Sequence, residues 1–386
     1  MKTILRLVII TSTITFFSFT ACKKGSVPNG ATAVASDEPK LKVNTILTDQ
    51  EIIWGMDFLP NGDLLFTEKK GNFKRFSKGQ ITQLTGGPTN ISSANQGGLL
   101  DIKIHPKYAQ NGWIYASFAG IESGATNLTL VRFKIDGDKM TNLETIFKAS
   151  PTNKWRGHYG SRIEFDKNNM LYLSIGEGGS SSRGGANSSN MNAQNVKEAW
   201  GKVHRMNDDG TVPKDNPILA GNTEPTTVFT YGHRNPQGLI MNQATQELYE
   251  VEHGPKGGDE LNIIKKGNNY GWPLISYGVN YDGVTVSENP KMEGMVDPIF
   301  AYVPSIATCG LAFVTSDKFS AWKGNLLVGG LAGQYLSRLV IKDNKFVSEH
   351  KLLEKIGRVR NVKQGPDGYI YISVEGPGRI LQLIPE

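Results

Sequence analysis

Only two cysteines, Cys22 and Cys309, occur in the chain, and with one of them in the leader no disulfide framework is available, so the fold must rest on its own core. Long apolar runs are also missing. Crossing a bilayer takes about 20 continuous apolar residues, and the one candidate stretch, Leu7 to Phe19, is shorter and broken by Thr11, Ser12, Thr13 and Thr15. No block of a single charge stands out. The 42 Lys and Arg residues and 36 Asp and Glu residues are scattered, a mildly basic balance that excludes a nucleic-acid footprint. Helical periodicity is scarce too, which turns attention to strands.

The leader has a layout of its own. Lys2 and Arg6 precede the apolar stretch, and small residues lead into Cys22, as in a secretory signal. Residues 1–21 therefore read as a signal peptide, whose loss removes two cations and no acid from a formal +6, leaving +4. The residues before Cys22 resemble a bacterial lipobox, with Phe19 where Leu is usual, so Cys22 is expected to carry a lipid anchor. Residues 22–44, rich in Gly, Ser, Pro, Ala and charge, read as that lipidated N-terminus and a flexible tether. The expected location is outside the cytoplasm, anchored and facing the periplasm or the cell surface. Residues 45–386 form the folded body.

What is abundant is glycine, 44 residues of it, with Asn-Gly and Asp-Gly turns between short β-rich runs. One unit recurs: an alternating strand, a tight turn, and a second strand with an aromatic residue or leucine at its centre. Leu65, Tyr115, Tyr172, Tyr249, Leu327 and Tyr371 fall at that central position. A hairpin with one buried face cannot stand alone, and six copies at uneven spacing point to radial stacking. The fold class read from this is all-β, a six-bladed β-propeller. A segment near residues 42–54 is expected to close the ring as the outer strand of the last blade.

In such a ring the start of each first strand and the end of each second strand share one face. Gln96, His158, Arg234, Asn235, Arg358 and Arg360 stand just before or at the start of first strands, and Glu177 and Glu252 to Pro255 at the ends of second strands. These residues are predicted to meet at one mouth of the central channel, as the groups of an active site would. Imidazole is the side chain best suited to moving a proton near neutral pH, which makes His158 the candidate general base. Glu177 is placed to orient it. The three arginines offer forked donors that suit a polyanionic ligand bearing planar carboxylates. The segment Glu252 to Asn262 mixes glycines with carboxylates, a pattern read either as an oxygen-rich calcium loop or as a solvated turn.

At this point the chain resembles the soluble pyrroloquinoline quinone (PQQ) dependent glucose and aldose sugar dehydrogenases. The matching stretches are Gln96-Gly-Gly-Leu-Leu100, His158-Tyr-Gly-Ser-Arg-Ile-Glu-Phe-Asp166, Tyr231-Gly-His-Arg-Asn-Pro-Gln-Gly238, Glu252-His-Gly-Pro255, Asn268-Asn-Tyr-Gly-Trp-Pro273 and Gly357-Arg-Val-Arg360. The resemblance implies oxidation of an aldose sugar at C1 to a lactone, with His158 taking the hydroxyl proton and hydride passing to PQQ. It implies that Arg234 and Asn235 hold the quinone oxygens and that Gln96, Arg358 and Arg360 contact the cofactor. Calcium is implied at the carbonyls of Gly254 and Pro255, with a second calcium at Glu260 and Tyr270. An electron acceptor of unidentified kind completes the cycle.

Three departures accompany the match. Glu177 stands where the family usually has Asp, Gly178 to Gly185 gives no clear match to the polar cofactor contact of the glucose-oxidising members, and the fifth-blade lysine of those members has no counterpart in Val328 to Gln334. Two other readings use the same scaffold: a metal-dependent lactonase-type hydrolase, which needs acids on several inner strands to hold its metal deep in the channel, and an exported binding protein without catalysis.

Overall fold

The computed structural model describes residues 39–386, so residues 1–21, read as a signal peptide, Cys22 and most of the residues read as a tether lie outside the described residues. Six antiparallel sheets of four strands succeed one another along the chain. Blades one to five occupy residues 53–84, 99–148, 163–231, 236–302 and 308–352. Blade six takes its three inner strands from residues 358–385 and its outer strand from Leu41–Gln50. That strand pairs antiparallel with Gly378–Pro385, Leu41 opposite Pro385 and Gln50 opposite Gly378. The protein is a six-bladed β-propeller closed by strands from its two ends. Among the described residues no helix is long and apolar enough to cross a membrane.

The period-two alternation of each inner strand explains how a blade is built. In Leu99–Ile104, Ile102 and Ile104 join the apolar packing against blade one, while Asp101 and Lys103 point the other way, into the channel. The apolar core is accordingly divided into slabs between neighbouring blades, such as the Leu59, Phe73, Ile102 and Phe133 cluster between blades one and two. The six residues predicted to be equivalent all lie on second strands. They stand opposite Asp57, Lys103, Glu164, Ile240, Ala312 and Lys363 of the first strands.

Four of those channel-facing partners are charged, and they pair across blade boundaries. Lys363 of blade six meets Asp57 of blade one at 2.7 Å, and Lys103 of blade two meets Glu164 of blade three at 2.7 Å. Burial opposes ionisation of Asp57, yet Lys363 and Lys103 hold its carboxyl below the ordinary carboxylate range.

One level up the channel, the guanidinium of Arg162, at the start of blade three, is almost completely buried. It lies 4.1 Å from the ring of Trp54 and within 3.5 Å of that residue's carbonyl. It also donates to Asp101 Oδ1 (3.1 Å), Gln237 O (2.7 Å), Cys309 Sγ (3.5 Å) and Arg360 O (3.0 Å). Those partners belong to blades one, two, four, five and six, so one side chain touches every other blade.

Candidate active site

His158 precedes the first strand of blade three in a left-handed backbone conformation (φ 39°), which a non-glycine residue adopts only at a cost. Its carbonyl presses against Gly176, where a Cβ would come within 2.2 Å of the oxygen, so only glycine allows the second strand to end there. Gln96 Oε1 accepts the His158 backbone N–H at 3.1 Å. These contacts fix the imidazole. Its Nδ1 lies 2.7 Å and 2.6 Å from the two carboxylate oxygens of Glu177, a side chain with no exposure. The Nδ1–H is thus shared by both oxygens, and Nε2 makes no hydrogen bond among the described residues. The length of the Glu177 side chain lets it reach the His158 imidazole with both oxygens.

Arg234 and Asn235 open blade four beside this pair. The Glu177 N–H donates to the Arg234 carbonyl at 2.9 Å, and the Arg234 guanidinium donates to His253 O at 3.0 Å and lies 5.2 Å from the Trp272 ring. Asn235 Oδ1 accepts from Gly160 N at 3.2 Å. The remaining donors are unspent: Arg234 Nε and Asn235 Nδ2 are buried without an acceptor among the described residues. Two buried orphan donors on adjacent residues suit the oxygens of a carbonyl-bearing ligand. His253 lies among the same groups. Burial, together with Arg234, Arg360 and His158, pushes it down to about 3, so it is neutral and donates Nε2–H to Thr308 O at 2.8 Å.

Arg358 and Arg360 begin blade six, and both meet one residue that sequence reasoning passed over. Glu375 Oε2 accepts from Arg358 Nε and Oε1 from Arg360 Nε, each at 2.7 Å. Burial works to raise the Glu375 carboxyl, but Arg360 and Arg358 hold it below its ordinary range. Arg360 also donates to Gln237 Oε1 at 2.6 Å, whereas Arg358 has a single further contact, to Leu331 O at 3.4 Å, and a half-exposed side chain. Lys69, at the same end of blade one, donates to Ser93 O at 3.0 Å. Burial and then the charge of Arg360 lower its pKa, with Glu375 acting against them, which puts a further cation near these arginines.

The Glu252 to Asn262 segment folds back tightly. A Cβ on Gly254 would lie 2.1 Å from the Gly258 carbonyl. Asp259 pins it, its carboxylate accepting from Gly254 N (3.0 Å), Ile306 N (3.0 Å) and Thr308 N (3.2 Å). Beneath it, Asn262 Nδ2 faces Glu250, Glu252 and Glu260 at 3.1 Å, 3.3 Å and 3.4 Å. Burial, reinforced by Glu252, raises the carboxyls of Glu250 and Glu260 well above their usual range. Glu250 Oε1 and Asn262 Oδ1 are buried acceptors without donors among the described residues, and His233, Glu250 and Glu252 bring ligand atoms within 4.8 Å of one another. An acceptor-rich, anion-dense pocket of this kind fits a hard cation. Glu260 and Tyr270 line the same small cavity as Arg234, Glu252 and Gly254. The Tyr270 hydroxyl is already engaged, donating to Ile263 O at 2.7 Å and accepting from Lys265 N at 2.9 Å, so only its carbonyl is open to a metal.

All eleven residues singled out from the sequence fall at this end of the channel or in the loop beside it. The rule that found Glu177 and Glu252, reading the ends of second strands, finds Glu375 and Lys69 when applied to blades six and one. Asp259 and the Glu250, Asn262 pair needed strand register. Of the inner-strand acids that a lactonase-type metal site would use, Asp57, Asp101 and Glu164 are present on blades one to three, and each is paired to a cation.

Comparison with known proteins agrees with this architecture. Aldose sugar dehydrogenase YliI of Escherichia coli is 34% identical over 342 residues, covering 86% of this chain and 90% of the relative. The crystal structure of the soluble Escherichia coli aldose sugar dehydrogenase in its apo-form matches with a TM-score of 0.84 at 32% identity, over 90% of this chain and 100% of that one. The PQQ-bound aldose sugar dehydrogenase of Streptomyces coelicolor matches with a TM-score of 0.71 at 28% identity, over 90% and 100% of the two chains. With residues 50–382 matched by the glucose/sorbosone dehydrogenase family, the chain belongs to that family of oxidoreductases.

Proposed function

We propose that the protein is a PQQ- and calcium-dependent dehydrogenase that oxidises aldose sugars at C1 to lactones. The observation that carries this reading is the pairing of a base and a ligand cradle at one mouth. His158 is held through Nδ1 with Nε2 free, beside buried donors on Arg234 and Asn235 that have no acceptor among the described residues. When bound, PQQ supplies the two-electron acceptor for the hydride leaving C1, with calcium beside it as a Lewis acid.

The protein's own part is orientation and proton movement. Nε2 of His158 takes the proton of the C1 hydroxyl, and Glu177 keeps the other proton on Nδ1 and stabilises the imidazolium as it forms. Arg234 Nε and Asn235 Nδ2 would hold the quinone oxygens, Gln96 would contact the cofactor, and Arg358 with Arg360 would meet its carboxylates. The carbonyls of Gly254 and Pro255 would bind the catalytic calcium, and Glu260 with the Tyr270 carbonyl a second, structural one.

The test uses the purified mature protein with PQQ and calcium, a panel of aldoses and an artificial dye as acceptor. Dye reduction that depends on both additions is expected. No turnover with any sugar, together with no rise in melting temperature on adding PQQ, would sink the proposal.

A further inference from the structure

Arg358 and Arg360 flank Val359 where a register shift interrupts the pairing of their strand with its neighbour, and both guanidinium groups reach the same carboxylate, so two like charges are held close together and repel. Val359 between them is fully buried in the core. Glu375 ends the neighbouring strand directly opposite Arg358. Its carboxylate divides between them, one oxygen for each Nε, and is itself almost wholly buried. Arg360 is then fixed on its other edge by Gln237 and Cys309. Beyond the long contact of Arg358 Nη1 to Leu331 O and the bond of Lys69 to Ser93 O, what stays available is the rest of the half-exposed terminal edge of Arg358 and the remaining N–H groups of the Lys69 ammonium near Arg360.

We infer that Glu375 is the positioning residue of the anion cradle, locking the two arginines in one orientation so that the free terminal N–H groups of Arg358, with the Lys69 ammonium, receive a ligand carboxylate. The inference rests on the PQQ reading of the site. Orientation and charge make opposite demands here. Coulomb attraction alone says that removing an acid from beside an anion site tightens the anion. A positioning role says the reverse, because the amide introduced by Glu375→Gln would offer one acceptor and turn an NH2 group toward the second guanidinium.

The experiment titrates PQQ, with calcium present, into the wild-type protein, Glu375→Gln and Glu375→Asp, and follows quenching of tryptophan fluorescence, since Trp54 and Trp272 lie beside Arg360 and Arg234. Glu375→Gln is expected to raise the dissociation constant about tenfold, the loss of one charge-assisted hydrogen bond. Glu375→Asp, with the charge kept and the reach shortened, is expected to fall between. Binding by Glu375→Gln as tight as wild type or tighter overturns the inference. If that variant does not fold, by its melting curve, Glu375→Asp decides, and wild-type affinity there overturns it equally. Failure of the wild-type protein to bind PQQ would instead remove the cofactor reading, and this inference with it.

Discussion

At the scale of single residues, the base and its partner carry the sharpest expectations. Replacing His158 by Gln removes the proton acceptor, and turnover is expected to fall by roughly 10² to 10⁴, measured as kcat with PQQ saturating. Glu177→Gln, which leaves the ring without an anionic partner, is expected to lower kcat by a comparable factor, with partial recovery in Glu177→Asp. Equal activity of Glu177→Gln and wild type would remove the carboxylate from the proposed chemistry. A second expectation concerns pH. Burial pushes His204 down to about 4, where its ring nitrogens meet Thr227 Oγ1 at 3.0 Å and Ala199 O at 2.8 Å. Between that value and the unfolded value of about 6.5 the unfolded chain binds a proton that the folded chain refuses, so stability rises with pH across this window and falls on acidification. The contribution is at most about 1.4 kcal/mol per pH unit. In urea melts at pH 6 and pH 5 the loss on acidification should be smaller in His204→Asn than in wild type; identical losses would contradict it. His158 and Glu177 were legible in the sequence because propeller geometry alone ties strand ends to one face. The neutral state of His253 was not, since it depends first on burial in the folded ring and then on Arg234 and Arg360 arriving from other parts of the chain.

At the scale of elements, the hairpin of Glu247–Glu252 and Asp259–Ile264 shows what register adds. Glu252 stands opposite Glu260 and Glu250 opposite Asn262, and like charges directly opposed on a sheet repel. Sequence reading offered Glu252 to Asn262 as either a calcium loop or a solvated turn, with Glu260 a ligand by resemblance, and left Glu250 out. Pairing turns them into one buried cluster whose repulsion a cation would relieve. Calcium is therefore expected to raise the melting temperature of the protein without PQQ, by an amount equivalent to about 2.7 kcal/mol at a hundredfold excess over its dissociation constant, and EDTA to reverse the shift. Glu260→Gln should melt higher than wild type in EDTA and lose most of the calcium response. A calcium response unchanged in that variant would place the ion elsewhere.

At the scale of the whole molecule, six blades were legible because each hairpin repeats the same alternation, and the closing strand because a ring leaves no edge. The hub was not. Nothing in the stretch Arg162-Ile-Glu-Phe-Asp166 marks its arginine as the one side chain that reaches five other blades. Removing one partner of a buried ionic network costs about 3–5 kcal/mol, and Arg162→Met is expected to lower stability by that order in denaturant melts. The closing strand has a different consequence, which concerns time. Asn44 meets Gln382 across 338 positions of sequence, so Leu41–Gln50, made early, waits for Gly378–Pro385 before it has this partner. Contacts this distant form slowly. The ring is therefore completed only once Gly378–Pro385 has been made, and a chain stopped short of Gly378 would hold Leu41–Gln50 as a bare edge, open to pairing with a neighbour.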